Sequence, residues 1–165
     1  MKKKNIFNIE VISKRPTRDW GVPSHVGRIT INAFQETFEI PLDSWPLKEY
    51  KRQWKEGLER IGSHMTSCLV SSVYGLDSSP LIEIWTIYRE ETKAFFRQQI
   101  LNRIIAQEIN LPFPLFEFDR INCYECILPR LVNEQGKAID EEGNKISEWN
   151  IDYKAIEEFA HSFKP

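Results

Sequence analysis

Apolar and polar residues alternate along the first third of the chain. In "NIFNIEVI", Phe7, Ile9 and Val11 alternate with Asn8 and Glu10. In "RITINAFQETFEIPL", Ile29, Ile31 and Ala33 alternate with Arg28, Thr30 and Asn32, and then Phe38, Ile40 and Leu42 alternate with Thr37, Glu39 and Pro41. Period two with one polar face predicts half-buried strands in an antiparallel sheet. The intervening "KRPTRDWGVPSHVG", with two prolines and two glycines, reads as a loop.

The period changes at Asp43. In "DSWPLKEYKRQWKEGLERIG", Leu47, Tyr50, Trp54, Leu58 and Ile61 recur at steps of three and four, and charged residues fill the other sides. This predicts an amphipathic helix capped by Ser44 or Asp43, with Pro46 in its first turn and Gly62 at its stop. "MTSCLVSSVY" and "LIEIWTIYRE" flank "GLDSSP" as a long-looped hairpin. Both parities of the second strand are apolar, which predicts a central strand covered on two faces. "KAFFRQQILNRIIAQEI" fits a helix and a strand equally well, and periodicity does not decide it.

After Leu111 the chain is irregular, and "EQGKAIDEEGNK" reads as a turn-rich surface segment. "DYKAIEEFAHSF" is a second helix. Its apolar stripe is Ile156, Phe159, Ala160 and Phe163, its N-cap is Asp152, and Ile151 and Ile156 sit at the hydrophobic-staple spacing. The expected fold is α+β: a single domain over residues 1–165, mostly antiparallel β-sheet with two or three packed α-helices.

Composition narrows the function. Apolar and charged fractions are ordinary for a globular protein, and no apolar run approaches the roughly 18 residues of a membrane span. "MKKKNIFNIE" lacks the apolar centre of a signal peptide, so a cytosolic protein is expected. Charge is uneven: residues 1–28 hold seven basic and two acidic residues, whereas residues 134–158 hold eight acidic and three basic. The second segment suits either a solvated surface or an acidic face for a basic partner.

Catalytic motifs are absent. The glycines are scattered, and His25, His64 and His161 lie far apart. Cys123-x-x-Cys126 is the one chemical signal, with His64 and Cys68 as conceivable further zinc ligands. Its flanks Ile121, Ile127 and Leu128 read as extended, and residues three apart in a strand point to opposite faces. Pro129 leaves no room for the helix that would activate a redox dithiol. A Cys–His nucleophile would have to be assembled in space; buried, inert thiols are the plainer reading. The basic "MKKK" and "SKRPTR" followed by Trp20 would suit phosphates and a stacked base, but net charge is −2 and no nucleic-acid motif is present. What remains is a binding or inhibitory protein without cofactor or metal; a small nucleic-acid- or ligand-binding module is the alternative.

"YKRQWKEGLERI", "SCLVSSV" and "IEIWTIYRE", followed by "FDRINCYECILPRLVNEQGKAIDEEGNKISEWNIDYKAIEEF", resemble immunity proteins of the contact-dependent growth inhibition system, the CdiI family. The matching residues include Asn122, Tyr124, Ile127, Pro129, Arg130, Gly143, Ile146, Ser147, Glu148, Trp149, Ile156 and Phe159. The resemblance spans about two-thirds of the chain, from Tyr50 onward. Cys123 stands where the family pattern has proline, and Cys126 where it has a bulky apolar residue.

The resemblance implies a non-enzymatic cytosolic inhibitor. Its partner would be the CdiA C-terminal toxin domain of a cognate effector, often a nuclease and sometimes one that cuts transfer RNA. It makes Ala94 to Leu101 a strand with a short helix after it. It casts Ser147, Glu148 and Trp149 as structural, with the glutamate bonded locally. Because a nuclease cleft is electropositive, acidic residues become the interface candidates: Asp140, Glu141, Glu142, Asp152, Glu157 and Glu158.

Overall fold

The computed structural model describes residues 5–18, 21–126 and 147–165. Two antiparallel sheets form the frame. In the first, strands β1 (Phe7–Val11), β2 (Ser24–Ile31) and β3 (Phe34–Pro41) run in the order β1-β2-β3. In the second, β4 (Thr66–Tyr74), β5 (Leu81–Glu90), β6 (Lys93–Leu101) and β7 (Trp149–Asp152) run in the order β4-β5-β6-β7. The expected α+β class with antiparallel pairing holds, with its strands divided between two sheets.

Alternation explains the stacking. Phe7, Ile9, Ile29 and Ile31 are buried on one face of the first sheet, and that face meets the second sheet. Phe7 stacks on Phe96 at 5.4 Å, and Phe34 stacks on Trp149 at 4.1 Å. Asn32 sits at φ 57 in the two-residue β2–β3 turn, a left-handed conformation that asparagine tolerates. Its side chain accepts from the Ile6 amide at 3.2 Å and donates to the Asn150 carbonyl at 3.1 Å, joining the two sheets.

Helix α1 (Leu47–Ser63) lies on β4. Tyr50, Trp54, Leu58 and Ile61 are buried as their spacing demands, together with the polar Gln53. Gln53 clamps the strand: its amide donates to the Cys68 carbonyl at 2.9 Å and its oxygen accepts from the Val70 amide at 2.8 Å. The Trp54 indole donates to the Val70 carbonyl at 2.8 Å. Ser67 Oγ donates to the Gly57 carbonyl at 2.6 Å. Helix α3 (Tyr153–Ser162) packs against α1 and β1, with the Phe159 and Phe7 rings edge to face at 5.3 Å.

Several local expectations change. Strand β2 begins at Ser24, so the end of the expected loop is sheet. Pro46 is the N-cap of α1, and no side chain caps the helix. Asp43 and Ser44 instead accept from the Gly75 and Leu76 amides, pinning the β4–β5 turn. Helix α1 runs through Gly62 to Ser63. Residues 94–101 lie in strand β6, followed by the short helix α2 (Arg103–Glu108), as the family resemblance implies and periodicity alone does not. The stretch 122–126 is a 3-10 helix, not a strand. The segment "EQGKAIDEEGNK" lies outside the described residues.

Candidate functional site

The thiols come together in a way the linear reading did not foresee. A 3-10 helix places residues three apart on one side, so Cys123 and Cys126 share a face and are fully buried. Cys68 of β4 joins them; its thiol donates to the Cys123 carbonyl at 3.7 Å. Gln53 Nε2 donates to the Cys123 sulfur at 3.6 Å. Burial pushes the Cys68 thiol well up, with the Cys123 side chain adding to it, and raises Cys126 to about 12. A thiol held protonated is a poor nucleophile and a poor metal ligand. Among the described residues, no group of three or more His, Cys, Asp or Glu is placed to hold a metal ion.

Of the six acidic candidates, Asp140, Glu141 and Glu142 lie outside the described residues. Asp152 is the N-cap residue of α3 but its side chain makes no capping bond; its carboxylate is held by Lys93 and Asn5, which keep it below the usual range. Glu157 and Glu158 are exposed on α3, and Lys154 lies 3.8 Å from Glu158. Among the described residues, the bonds of Glu148 are not local. It crosses to β5 and β6, accepting from Tyr88 Oη at 2.9 Å and from Arg97 Nε at 2.7 Å, and it ties β7 to the sheet. Tyr88 is pushed up to about 12, first by burial and then by the Glu148 carboxylate.

Ion pairs neutralise most described carboxylates that face a base. Arg28 pairs with Glu10 at 2.6 Å, Arg120 bridges Glu49 and Glu56, Lys55 pairs with Glu59 at 3.1 Å, and Arg97 pairs with Glu148 at 2.6 Å. A different set converges where β3 meets the open end of β4, β5 and β6. Gln98 Nε2 donates to Glu36 at 2.8 Å and also to Glu83. The Tyr74 hydroxyl is raised by burial, with Glu39, Glu83 and Asp43 adding to it. Among the described residues, Glu36, Glu39, Asp43 and Glu83 have no basic partner in ion-pair range. They are scattered in sequence and belong to no acidic run, so segment charge could not find them.

Two large aliphatic side chains lie on the same sheet face. Ile100 is the direct cross-strand neighbour of Glu83, and Leu81 is that of Tyr74. Ile100 is 53% exposed and Leu81 44%. On the far side of the β4–β5 turn, a groove of about 850 Å³ opens between that turn and α2, lined by Leu76, Pro80, Arg103, Phe113 and Phe116 among others. No described helix is long and apolar enough to cross a membrane.

Among the described residues the arrangement offers exposed acidic and apolar surfaces. The CdiI N-terminal domain family model matches residues 40–159. The immunity protein CdiI of Enterobacter cloacae subsp. cloacae is 29% identical over 135 residues, 81% of this chain and 83% of that protein. A chain of the CdiA-CT/CdiI toxin and immunity complex from Enterobacter cloacae superposes with a TM-score of 0.75 and 26% identity. The match covers 96% of this chain and 98% of that one.

Proposed function

This chain belongs to the CdiI family of immunity proteins, and from that premise we propose that it binds and neutralises the CdiA C-terminal toxin domain of a cognate growth-inhibition effector. The match over nearly the whole chain to a member of a toxin and immunity complex carries the reading. We further propose that the toxin is a nuclease, possessing the electropositive cleft such chemistry needs, and that its substrate is transfer RNA. Inhibition would take place in the cytosol of the producing cell, where Cys68, Cys123 and Cys126 stay reduced.

The acidic candidates fit this reading as a steering field. Glu157 and Glu158 project from α3, and together with Asp140, Glu141, Glu142 and Asp152 they would draw a cationic partner toward the surface.

Co-expression with the toxin domain encoded alongside this chain tests the proposal. Growth restored by the chain, and a complex that co-purifies, are the expected results. Undiminished arrest, or no complex, would refute it. Incubating total RNA with the purified toxin tests the substrate: transfer RNA cut by toxin and spared in the presence of this chain supports the finer reading, and ribosomal or DNA cleavage overturns it.

A further inference from the structure

We propose that the toxin docks on the open end of the β4–β5–β6 face, seating a Lys- and Arg-bearing surface against Leu81 and Ile100 beside the carboxylates of Glu36 and Glu83. This deepens the reading above and rests on it.

The sheet face itself is the first ground. The first sheet covers Trp85, Ile87 and Phe96 but leaves Leu81 and Ile100 in solvent, one register step or two beyond the last buried row. A strand residue on a covered face is ordinarily apolar because it is buried. Aliphatics left exposed at the end of a structured face, next to its buried rows, form a surface that a partner can cover. A hairpin whose turn is held by Asp43 and Ser44 presents them rigidly, so little entropy is lost on docking.

Charge selects the occupant. Glu83 is raised by its partial burial, and Glu36 adds repulsion to it; the Gln98 amide that bridges the two supplies donors but no charge. Cations brought by a partner would relieve that repulsion in a partly desolvated setting, where charge pairs count most. A nucleic acid would bring phosphates and be repelled. A second copy docked isologously would set these carboxylates against themselves. An apolar centre beside carboxylates therefore fits a basic protein surface.

Asp152, at the Lys93 end of β6, is seven residues from Ile100 along the strand direction, roughly 24 Å at the usual rise. The steering acids near that end and the docking face are thus separable by mutation. Binding kinetics of the toxin domain to the immobilised chain, at low and high salt, supply the test. Ile100→Asp should raise the dissociation rate about tenfold or more, as expected for loss of a central apolar contact. Glu36→Lys should lower the association rate about threefold and flatten its salt dependence. Glu157→Lys with Glu158→Lys should alter the association rate alone.

No binding by the wild-type chain would overturn the functional reading and the docking face together. Wild-type binding with Ile100→Asp and Glu36→Lys within twofold of it would overturn the face and leave the function standing. Should a variant fail to fold, hydrogen exchange on the wild-type complex decides: slowed exchange at residues 81–83 and 98–101 supports the face, and unchanged exchange there refutes it. A homodimer of the free chain that Ile100→Asp dissociates would assign the face to a second copy and refute the proposal.

Discussion

Gly57→Ala sets helix propensity against packing. In the middle of a helix, alanine is favoured over glycine by about 1 kcal/mol. Here a Cβ on residue 57 would stand 2.3 Å from the Cys68 carbonyl oxygen and 3.0 Å from Leu69 Cδ2. An unstrained carbon–oxygen contact needs roughly 3.2–3.5 Å, so α1 must retreat from β4 by about 1 Å. That retreat would stretch four bonds now at 2.6–2.9 Å: two from Gln53, one from Trp54 and one from Ser67. Overpacking costs about 1–3 kcal/mol and each lost buried hydrogen bond about 1 kcal/mol. With the stretching equivalent to about two bonds lost and the propensity gain subtracted, a net loss of about 3 kcal/mol is expected, or about 6–12 °C in Tm for a chain of this size. Urea titration followed by tryptophan fluorescence measures it. Gly62→Ala is the control. It gains the same propensity and meets only the Tyr153 hydroxyl, at 2.7 Å; that ring end can move, so a change within about 1 kcal/mol is expected. Gly57→Ala at least as stable as wild type would refute this account of the α1–β4 contact.

Glu148→Ala would leave the Arg97 guanidinium, 1% exposed, without its carboxylate; a loss of about 3–5 kcal/mol in urea is expected, largely recovered by adding Arg97→Met. Recovery absent in the double variant would mean the pair does more than neutralise itself. Because the Cys68, Cys126 and Tyr88 protons are held more tightly in the folded than in the unfolded chain, stability should fall as pH rises from about 9 toward about 12. Native thiols should correspondingly resist alkylation at pH 8, and a Cys68→Ser/Cys126→Ser variant should show a shallower alkaline decline. Asp152 acts in the opposite direction: its lowered value contributes stability above the unfolded carboxylate range that is lost as pH falls through and below it. Asp152→Asn should flatten that acid limb, read from Tm between pH 5 and about 2.

The regular elements were legible where burial follows a simple period. The alternation of Phe7, Ile9 and Val11, the three-four spacing from Tyr50 to Ile61, and the staple Ile151–Ile156 each place an apolar face, and the structure buries those faces. Residues 94–101 were not legible by period. Both faces of β6 are covered at Ala94, Phe96, Arg97 and Leu101, and a strand buried on both faces loses its alternation. The four-residue β7 carries too few positions to show any period, and it exists because it pairs with β6.

The chain by itself determined the α+β class, the two long amphipathic elements, the absence of a catalytic motif and, through the resemblance from Tyr50 onward, the family. Those properties reside in local spacing and residue type. Tertiary structure alone decided the rest. It turned Cys123 and Cys126 onto one face and added Cys68 from 55 positions away. It sent Glu148 across the sheet to Arg97, and it set Glu36 and Glu83 on one Gln98 amide beside the exposed Ile100. The contacts made from the strands depend on which strands pair and in what register, and a shift of one residue would turn those side chains to the opposite face.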